Sequence, residues 1–374
     1  MTIEELLEGR RVCICAGSGG VGKTTASAAI AMGMAAAGRK VAVVTIDPAR
    51  RLANSLGLDS LGNEPRLVDP ARFAGHGIEM RGELWAMMLD PKATFDELIE
   101  RLAPDAAARE EILSNRIYQE LSGAVAGSQE YTAIAKLYEL DQEGDYDLLV
   151  LDTPPSRNAL DFLDAPGRLT QFFEGRALRV FLRPGGVATR IVGAGTGLVF
   201  SILKRVTGVD LLEDLSVFFR ALGGLIDGFK ERADHASRLL ADPATTFLLV
   251  TSPEPEPVEE AIYFWTKLAE AKMPFGGVIV NRVNVDAAPG ADPAAVEAEL
   301  ARDLPDALAA KVAACLADQH ALAAHDRASI ARLDEALGGP PRIDIPAFDD
   351  DIHDVDGLVA VHRHLAGTAG GGAI

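Results

Sequence analysis

The stretch Gly17-Ser18-Gly19-Gly20-Val21-Gly22-Lys23-Thr24 constrains this chain more than any other. It has the spacing G-x-x-x-x-G-K-[ST], follows the apolar run Val12–Ala16 and opens an alanine-rich segment from Thr25 to Ala37. Apolar run, glycine loop and helix former read as strand, loop and helix, the context this spacing requires. Glycine reaches backbone angles closed to other residues, so successive N–H groups of the loop can turn inward onto phosphate oxygens. The following helix adds the positive end of its dipole. Lys23 then reaches the outer phosphates, and the Thr24 hydroxyl is placed to hold Mg²⁺. The stretch predicts a nucleoside triphosphate cradle formed by Gly17, Ser18, Gly19, Gly20, Val21, Gly22, Lys23, Thr24 and Thr25.

Two aspartates extend that site. Val41–Ile46 reads as a buried strand and ends at Asp47-Pro48-Ala49-Arg50-Arg51. Asp147–Asp152 is a second, leading into Thr153-Pro154-Pro155-Ser156. Doubly wound sheets place ligand-binding groups at the carboxyl ends of their strands. Apolar residues leading to Asp152 make an element whose carboxylate can hold Mg²⁺ or a water bound to it. The glycine loop, Asp47 and Asp152, in this order on separate strand ends, predict one shared nucleotide site. Lys23 is its catalytic candidate, Thr24 and Asp152 its metal ligands, and Asp47 a further group at the site. Gly277–Arg282 is a further strand, with the Asn281 amide at its carboxyl end where a purine edge can be read. Ile343–Phe348 reads as a last short strand and loop.

Composition agrees with an α/β protein. The chain has 374 residues, of which 48% are hydrophobic but only 6% aromatic, so alanine and leucine supply most of the apolar mass. A net charge of −19 argues against sequence-independent nucleic-acid binding. The three cysteines, Cys13, Cys15 and Cys315, form no CxxC pair, which fits a reducing cytosol. Thr2 and Glu5 read as a capping box on a leading helix, not as part of a signal peptide. The longest uncharged apolar run, Ile191–Leu203, has 13 residues, short of the about 20 that span a bilayer. A soluble, cytoplasmic protein is expected.

Residues 1–160 and 241–365 are expected to form the core, with helices over 91–143, where Phe95, Leu98, Ile99 and Leu102 follow a helical period. The segment 161–240 carries Phe162, Phe172, Phe173, Phe181, Phe200, Phe218, Phe219 and Phe229 on glycine-broken helical runs. It is either an adaptable surface for an apolar partner or an ordinary helical subdomain with those rings in its core. Arg176, Arg179, Arg183 and Arg190 lie there too, facing an acidic client, lipid headgroups, an anion or solvent. Ala291–Leu337 reads as an exposed helical excursion, and 366–374 as a disordered tail. No internal repeat suggests two fused halves.

Taken in order, the glycine loop, Asp47-Pro48-Ala49, Asp152–Ser156, Thr251-Ser252-Pro253-Glu254-Pro255, Asn281-Arg282 and Pro346-Ala347-Phe348 resemble the ArsA/GET-type ATPases. The likeness spans roughly residues 10 to 360 and is nearest to single-domain bacterial members. It implies a doubly wound, mostly parallel sheet of P-loop NTPase type with an inserted α-helical subdomain. It also implies ATP hydrolysis to ADP with Mg²⁺, in dimers that close over ATP and open afterwards. Asp47 would orient or deprotonate the attacking water; the plainer alternative is an aspartate that caps the next helix. Asp152–Ser156 would sense the γ-phosphate. Asn281 would read adenine, with Pro346 and Phe348 packed against it. The partner would be a second copy or a related ATPase subunit, and the client a hydrophobic, tail-anchored-type or membrane protein met in the cytoplasm or peripherally at a membrane.

The sequence departs from that family at Ser18, where a lysine usually reaches the partner subunit's nucleotide. Slow hydrolysis, replacement by Arg50, Arg51 or Arg157, or pairing with a lysine-bearing subunit would each follow. The intersubunit zinc CxxC and an arsenite-binding cysteine triad are also missing, so neither zinc dimerisation nor arsenic transport is carried over. Rival readings are a ParA/MinD-like regulatory ATPase and a weakly hydrolysing nucleotide-binding subunit of a heteromeric complex. An iron–sulfur reductase would need cluster cysteines beyond the loop.

Overall fold

Runs such as Val12–Ala16 and Leu148–Asp152 are apolar throughout, the signature of strands buried on both faces. The structure, a computed structural model, describes residues 1–47, 50–115, 118–119, 129–153 and 225–368. In chain order these hold α1 (Ile3–Leu6), β1 (Val12–Ala16), α2 (Lys23–Ala36), β2 (Lys40–Thr45), α3 (Arg51–Ser55), β3 (Arg66–Leu67) and α4 (Ala71–Ala74). Next come β4 (Glu83–Met88), α5 (Pro91–Leu102), α6 (Ala106–Leu113), α7 (Gln129–Glu143), β5 (Leu148–Asp152) and α8 (Ile226–Ala241). The last are β6 (Thr245–Thr251), α9 (Pro255–Glu270), β7 (Phe275–Val283), α10 (Pro293–Leu300), α11 (Asp306–Leu337), β8 (Arg342–Pro346) and α12 (Val355–Leu365).

The strands form one 8-stranded sheet in the order β3-β4-β2-β5-β1-β6-β7-β8. Its pairs are parallel apart from the short antiparallel edge β3–β4. β1 lies centrally, between β5 and β6, with every residue buried. The chain leaves β1 to one side for β2 and β4 and later crosses to β6, β7 and β8, so the strand order reverses there. That reversal opens the crevice in which such sheets bind ligands.

Alternation along each strand feeds two apolar layers. Cys13, Cys15, Val43, Val150 and Val250 face α2 and α12. Ile14, Val44, Leu151 and Leu249 face the other layer, which holds Phe95 of α5, Phe229 of α8, Phe264 of α9 and Leu333 of α11. Cys13 and Cys15 thus share one face, as period-two alternation requires. The α/β doubly wound architecture matches the expectation, as does the capping box, with Glu5 N–H donating to Thr2 Oγ1 and Thr2 N–H to Glu5 Oε2.

Phe229 is a core residue. It is fully buried and stacks on Phe95 with ring centroids 5.5 Å apart. The other phenylalanines and the four arginines singled out between 161 and 224 lie outside the described residues. The expected excursion divides in two. α10 and the first turns of α11 are largely exposed, whereas Ile330, Leu333 and Leu337 enter the core. Three elements were not anticipated: β3 and α4, two and four residues long and too short to show a period, and α12, whose Val355, Leu358 and Val359 follow an acidic run.

Candidate functional site

The glycine loop joins β1 to α2 at the carboxyl edge of the sheet. Gly17 has φ 154° and Gly22 φ 95°. A Cβ on Gly17 would collide with the Val250 carbonyl of β6, and one on Gly22 with the Asn281 amide of β7. The loop therefore lies directly on two neighbouring strands, and only glycine permits that approach. Lys23, 7% exposed, folds back and donates from Nζ to the Ser18 carbonyl at 2.7 Å. Burial lowers its pKa, opposed first by the nearby Asp152 carboxylate and then by Asp47. Ser18 is itself buried, and its Oγ has no hydrogen-bond partner among the described residues.

Asp152 closes the far side. Thr24 Oγ1 donates to Asp152 Oδ2 at 2.6 Å, and Thr45 Oγ1 donates to the same oxygen at 2.8 Å. The other carboxylate oxygen, Oδ1, is buried and has no hydrogen-bond partner among the described residues. Burial pushes the Asp152 pKa up to about 6, against the downward pull of the two threonine hydrogen bonds and of Lys23. Next to it, Thr153 Oγ1 donates to the Cys15 carbonyl at 2.9 Å and ties the end of β5 to β1. Pro154–Ser156 lie outside the described residues, as do Pro48 and Ala49.

Asp47 follows β2. Its N–H donates to Thr45 Oγ1 at 3.2 Å, and its carboxylate is 3.8 Å from the exposed Arg51 guanidinium. Thr45 therefore contacts both aspartates, and sequence reading missed it. No local signal marks it; only the parallel register of β2 and β5 sets Thr45 opposite Asp152. Glu260 of α9 was missed as well; it adds a smaller favourable charge for Lys23.

Asn281 reaches the loop from β7, donating from Nδ2 to the Val21 carbonyl at 2.9 Å. Pro346 ends β8 opposite Val283, two residues beyond Asn281. Phe348 is half-buried; its ring meets His364 of α12 edge-on at 5.7 Å and packs on the layer containing α2. The structure thus joins Asn281 to the glycine loop, while Phe348 is anchored on α12.

These groups suit a magnesium nucleotide. An unpartnered buried carboxylate oxygen beside a threonine hydroxyl is a pair of hard oxygen donors, the type Mg²⁺ prefers. Lys23, which donates to its own loop's carbonyl, can exchange that contact for phosphate oxygens. A sequence profile of the anion-transporting ATPases, the ArsA ATPase family, matches residues 10–291. The chain belongs to that family.

Individual relatives agree. ATPase GET3A of Arabidopsis thaliana is 26% identical over 290 residues, covering 76% of this chain and 71% of that protein. ATPase GET3 of Podospora anserina is 25% identical over 284 residues, covering 75% of this chain and 76% of its own length. ATPase ARSA1 of Chlamydomonas reinhardtii is 27% identical over 308 residues, 75% of this chain but 36% of that protein. Among the described residues of this ArsA-type ATPase, no helix is long and apolar enough to cross a membrane.

Proposed function

We propose that this chain hydrolyses ATP to ADP and phosphate with Mg²⁺, and that two subunits close over the nucleotide and reopen after hydrolysis. The observation that carries the reading is the convergence of Thr24, Thr45 and Asp152 on one carboxylate oxygen beside Lys23. Membership of an ATPase family supports it.

In this reading the loop N–H groups of Gly17–Thr25 cradle the phosphates and Lys23 offsets their charge. Thr24 holds the metal ion, and Asp152 holds it directly or through a water. Mg²⁺ held there would neutralise charge growing on the phosphate oxygens. Asp47 orients the attacking water, and Thr45 keeps Asp47 and Asp152 in fixed relation. Asn281 meets the adenine edge, with the Pro346–Phe348 loop behind it. The subunit partner is a second copy or a related ATPase, and residues 161–240 engage a hydrophobic or membrane-protein client in the cytoplasm or at a membrane surface.

Phosphate release with and without Mg²⁺, alongside nucleotide binding, tests the chemistry. Asp47→Asn should lose release and keep binding, and Lys23→Ala should lose both. Asp47→Asn turning over at the wild-type rate would remove Asp47 from the mechanism. Lack of any Mg²⁺-dependent nucleotide binding by the wild type would end the reading. The client role expects ATP-dependent protection of a hydrophobic helix from aggregation, and fails if no nucleotide state gives it.

A further inference from the structure

Three of the six large apolar side chains exposed among the described residues lie on one face of α11. They are Leu308, Val312 and Leu322, 45%, 39% and 51% exposed. The exposed Cys315 stands between them. Positions 308, 312, 315 and 322 follow the four-and-three spacing of a helix-pairing seam. Toward the C-terminus the same row runs through Asp326 and Leu333, both buried. Asp326 Oδ2 accepts from the Asn284 N–H at 2.8 Å and from Asn284 Nδ2 at 2.9 Å, just past the carboxyl end of β7. From there α11 runs back toward the start of β8. Residues 306–325 therefore stand beyond the carboxyl edge of the sheet, the edge that carries the glycine loop. This arm is about 30 Å long. Asp286 steadies its base, with His320 Nε2 3.1 Å from Asp286 Oδ1 and Arg327 3.9 Å from Oδ2.

We propose that the arm is a clasp for a second copy of the chain, the two α11 helices lying antiparallel along this face with Cys315 beside the two-fold axis. The proposal rests on the two-subunit part of the reading above and names a contact outside the nucleotide site. The row that α11 buries against its own sheet continues along the arm with nothing over it among the described residues. Charge selects what covers it and in which direction. The open flank of the row carries Lys311 and, two turns on, Asp318, both exposed. An antiparallel copy reverses the order, so each Lys311 meets the partner's Asp318, about a centre between residues 314 and 315. A parallel copy would bring the charged flank against the opposite one, where Ala309 is buried and Leu316 half-buried and no charge is on offer. Exposed ion pairs add little strength, so they fix direction while the apolar row supplies the attraction.

Sedimentation of the full chain without nucleotide, over rising concentration, should show a dimer. Leu322→Glu should raise its half-dissociation concentration about tenfold or more, because pairing would bury a carboxylate among apolar groups. Lys311→Asp and Asp318→Lys should each weaken the dimer about threefold, and the two together should restore it, which a general loss of folding cannot do. Cys13 and Cys15 are buried, so a short bis-maleimide reports on Cys315. It should link two wild-type chains and fail on Cys315→Ser. A chain that is monomeric without nucleotide, as it would be if the arm covers a different protein, overturns the proposal. So does a dimer that gives no Cys315 link and ignores Leu322→Glu. A dimer formed only with Mg²⁺ and ATP and lacking that link overturns the clasp but leaves the closing ATPase intact. A monomer in every nucleotide state overturns the two-subunit reading as well.

Discussion

The Thr24 hydroxyl lies 2.6 Å from Asp152 Oδ2, joining the first turn of α2 to the end of β5 across the phosphate loop. Thr45 occupies the same oxygen from the opposite side. Both donors take one oxygen, and among the described residues Asp152 Oδ1 is buried without a partner, so the carboxylate is held in place but incompletely satisfied. An aspartate in this state has a measurable signature.

Burial raises the Asp152 pKa from 3.8 to about 6. A raised folded-state pKa means that the ionised form is penalised, so stability tied to the neutral form is lost as pH rises between those values. Asp152→Asn removes the charge. Without Mg²⁺ or nucleotide, the unfolding free energy of Asp152→Asn relative to wild type should rise by roughly 1.4 kcal/mol between pH 5 and pH 8. Denaturant titrations at the two pH values measure it. An equal difference at both would show that burial does not hold the carboxyl neutral.

In the proposed mechanism the Thr24 hydroxyl, which here donates to Asp152, would turn to the metal ion. Thr24→Ala should reduce the Mg²⁺-dependent gain in nucleotide affinity by about tenfold, whereas Thr24→Ser should keep it. Titrating Mg²⁺ against a fixed nucleotide concentration compares them. A Thr24→Ala protein with the wild-type Mg²⁺ response would move the ligand role elsewhere.

Ser18 is 8% exposed, and its carbonyl holds Lys23 Nζ. A short, inward side chain supplies no positive charge to a nucleotide in a facing subunit. Ser18→Lys should therefore speed phosphate release, by about a hundredfold if the charge reaches the transition state. Single-turnover assays of the two proteins are the check. Fast wild-type release that Ser18→Lys leaves unchanged would show that another group, such as Arg50 or Arg51, already completes the site.

The His362 imidazole packs against the backbone of Gly33, where a Cβ would collide with it. Gly33→Ala should destabilise by about 1–3 kcal/mol, and His362→Ala in the same chain should recover part of the loss. Burial also lowers the His362 pKa, followed in size by the opposing pull of Glu4. A depressed folded pKa means that the stability is present above the ordinary value of 6.5 and is lost as pH falls through the folded value. Thermal unfolding of wild type and His362→Leu near pH 7 and pH 5.5 should show a smaller loss in the variant.

Much of the fold could be read along the chain because its strands are buried on both faces. Val41–Ile46, Asp147–Asp152 and Gly277–Arg282 stand out as apolar runs that end in or lead directly to a polar residue, and each lies within one or two residues of an observed strand. The glycine loop was legible for a different reason. Its spacing is local, and a chain that passes close to Val250 and Asn281 must carry glycine at positions 17 and 22. Thr45 was not legible, because a threonine inside an apolar strand is ordinary until a neighbouring strand places a carboxylate opposite it. The brace between Asn281 and Val21 escaped for the same reason, as it joins residues 260 positions apart.

By itself the sequence determined a glycine loop between strand and helix, the apolar strands that lead to Asp47 and Asp152, and the α/β class, since each depends on residues close together along the chain. Only the tertiary structure decided which donors satisfy Asp152, that Lys23 turns back onto Ser18, that Phe229 belongs to the core, and that Asn281 supports the loop. Those outcomes depend on strand order and register, which bring distant residues within hydrogen-bonding reach, and no local pattern specifies them.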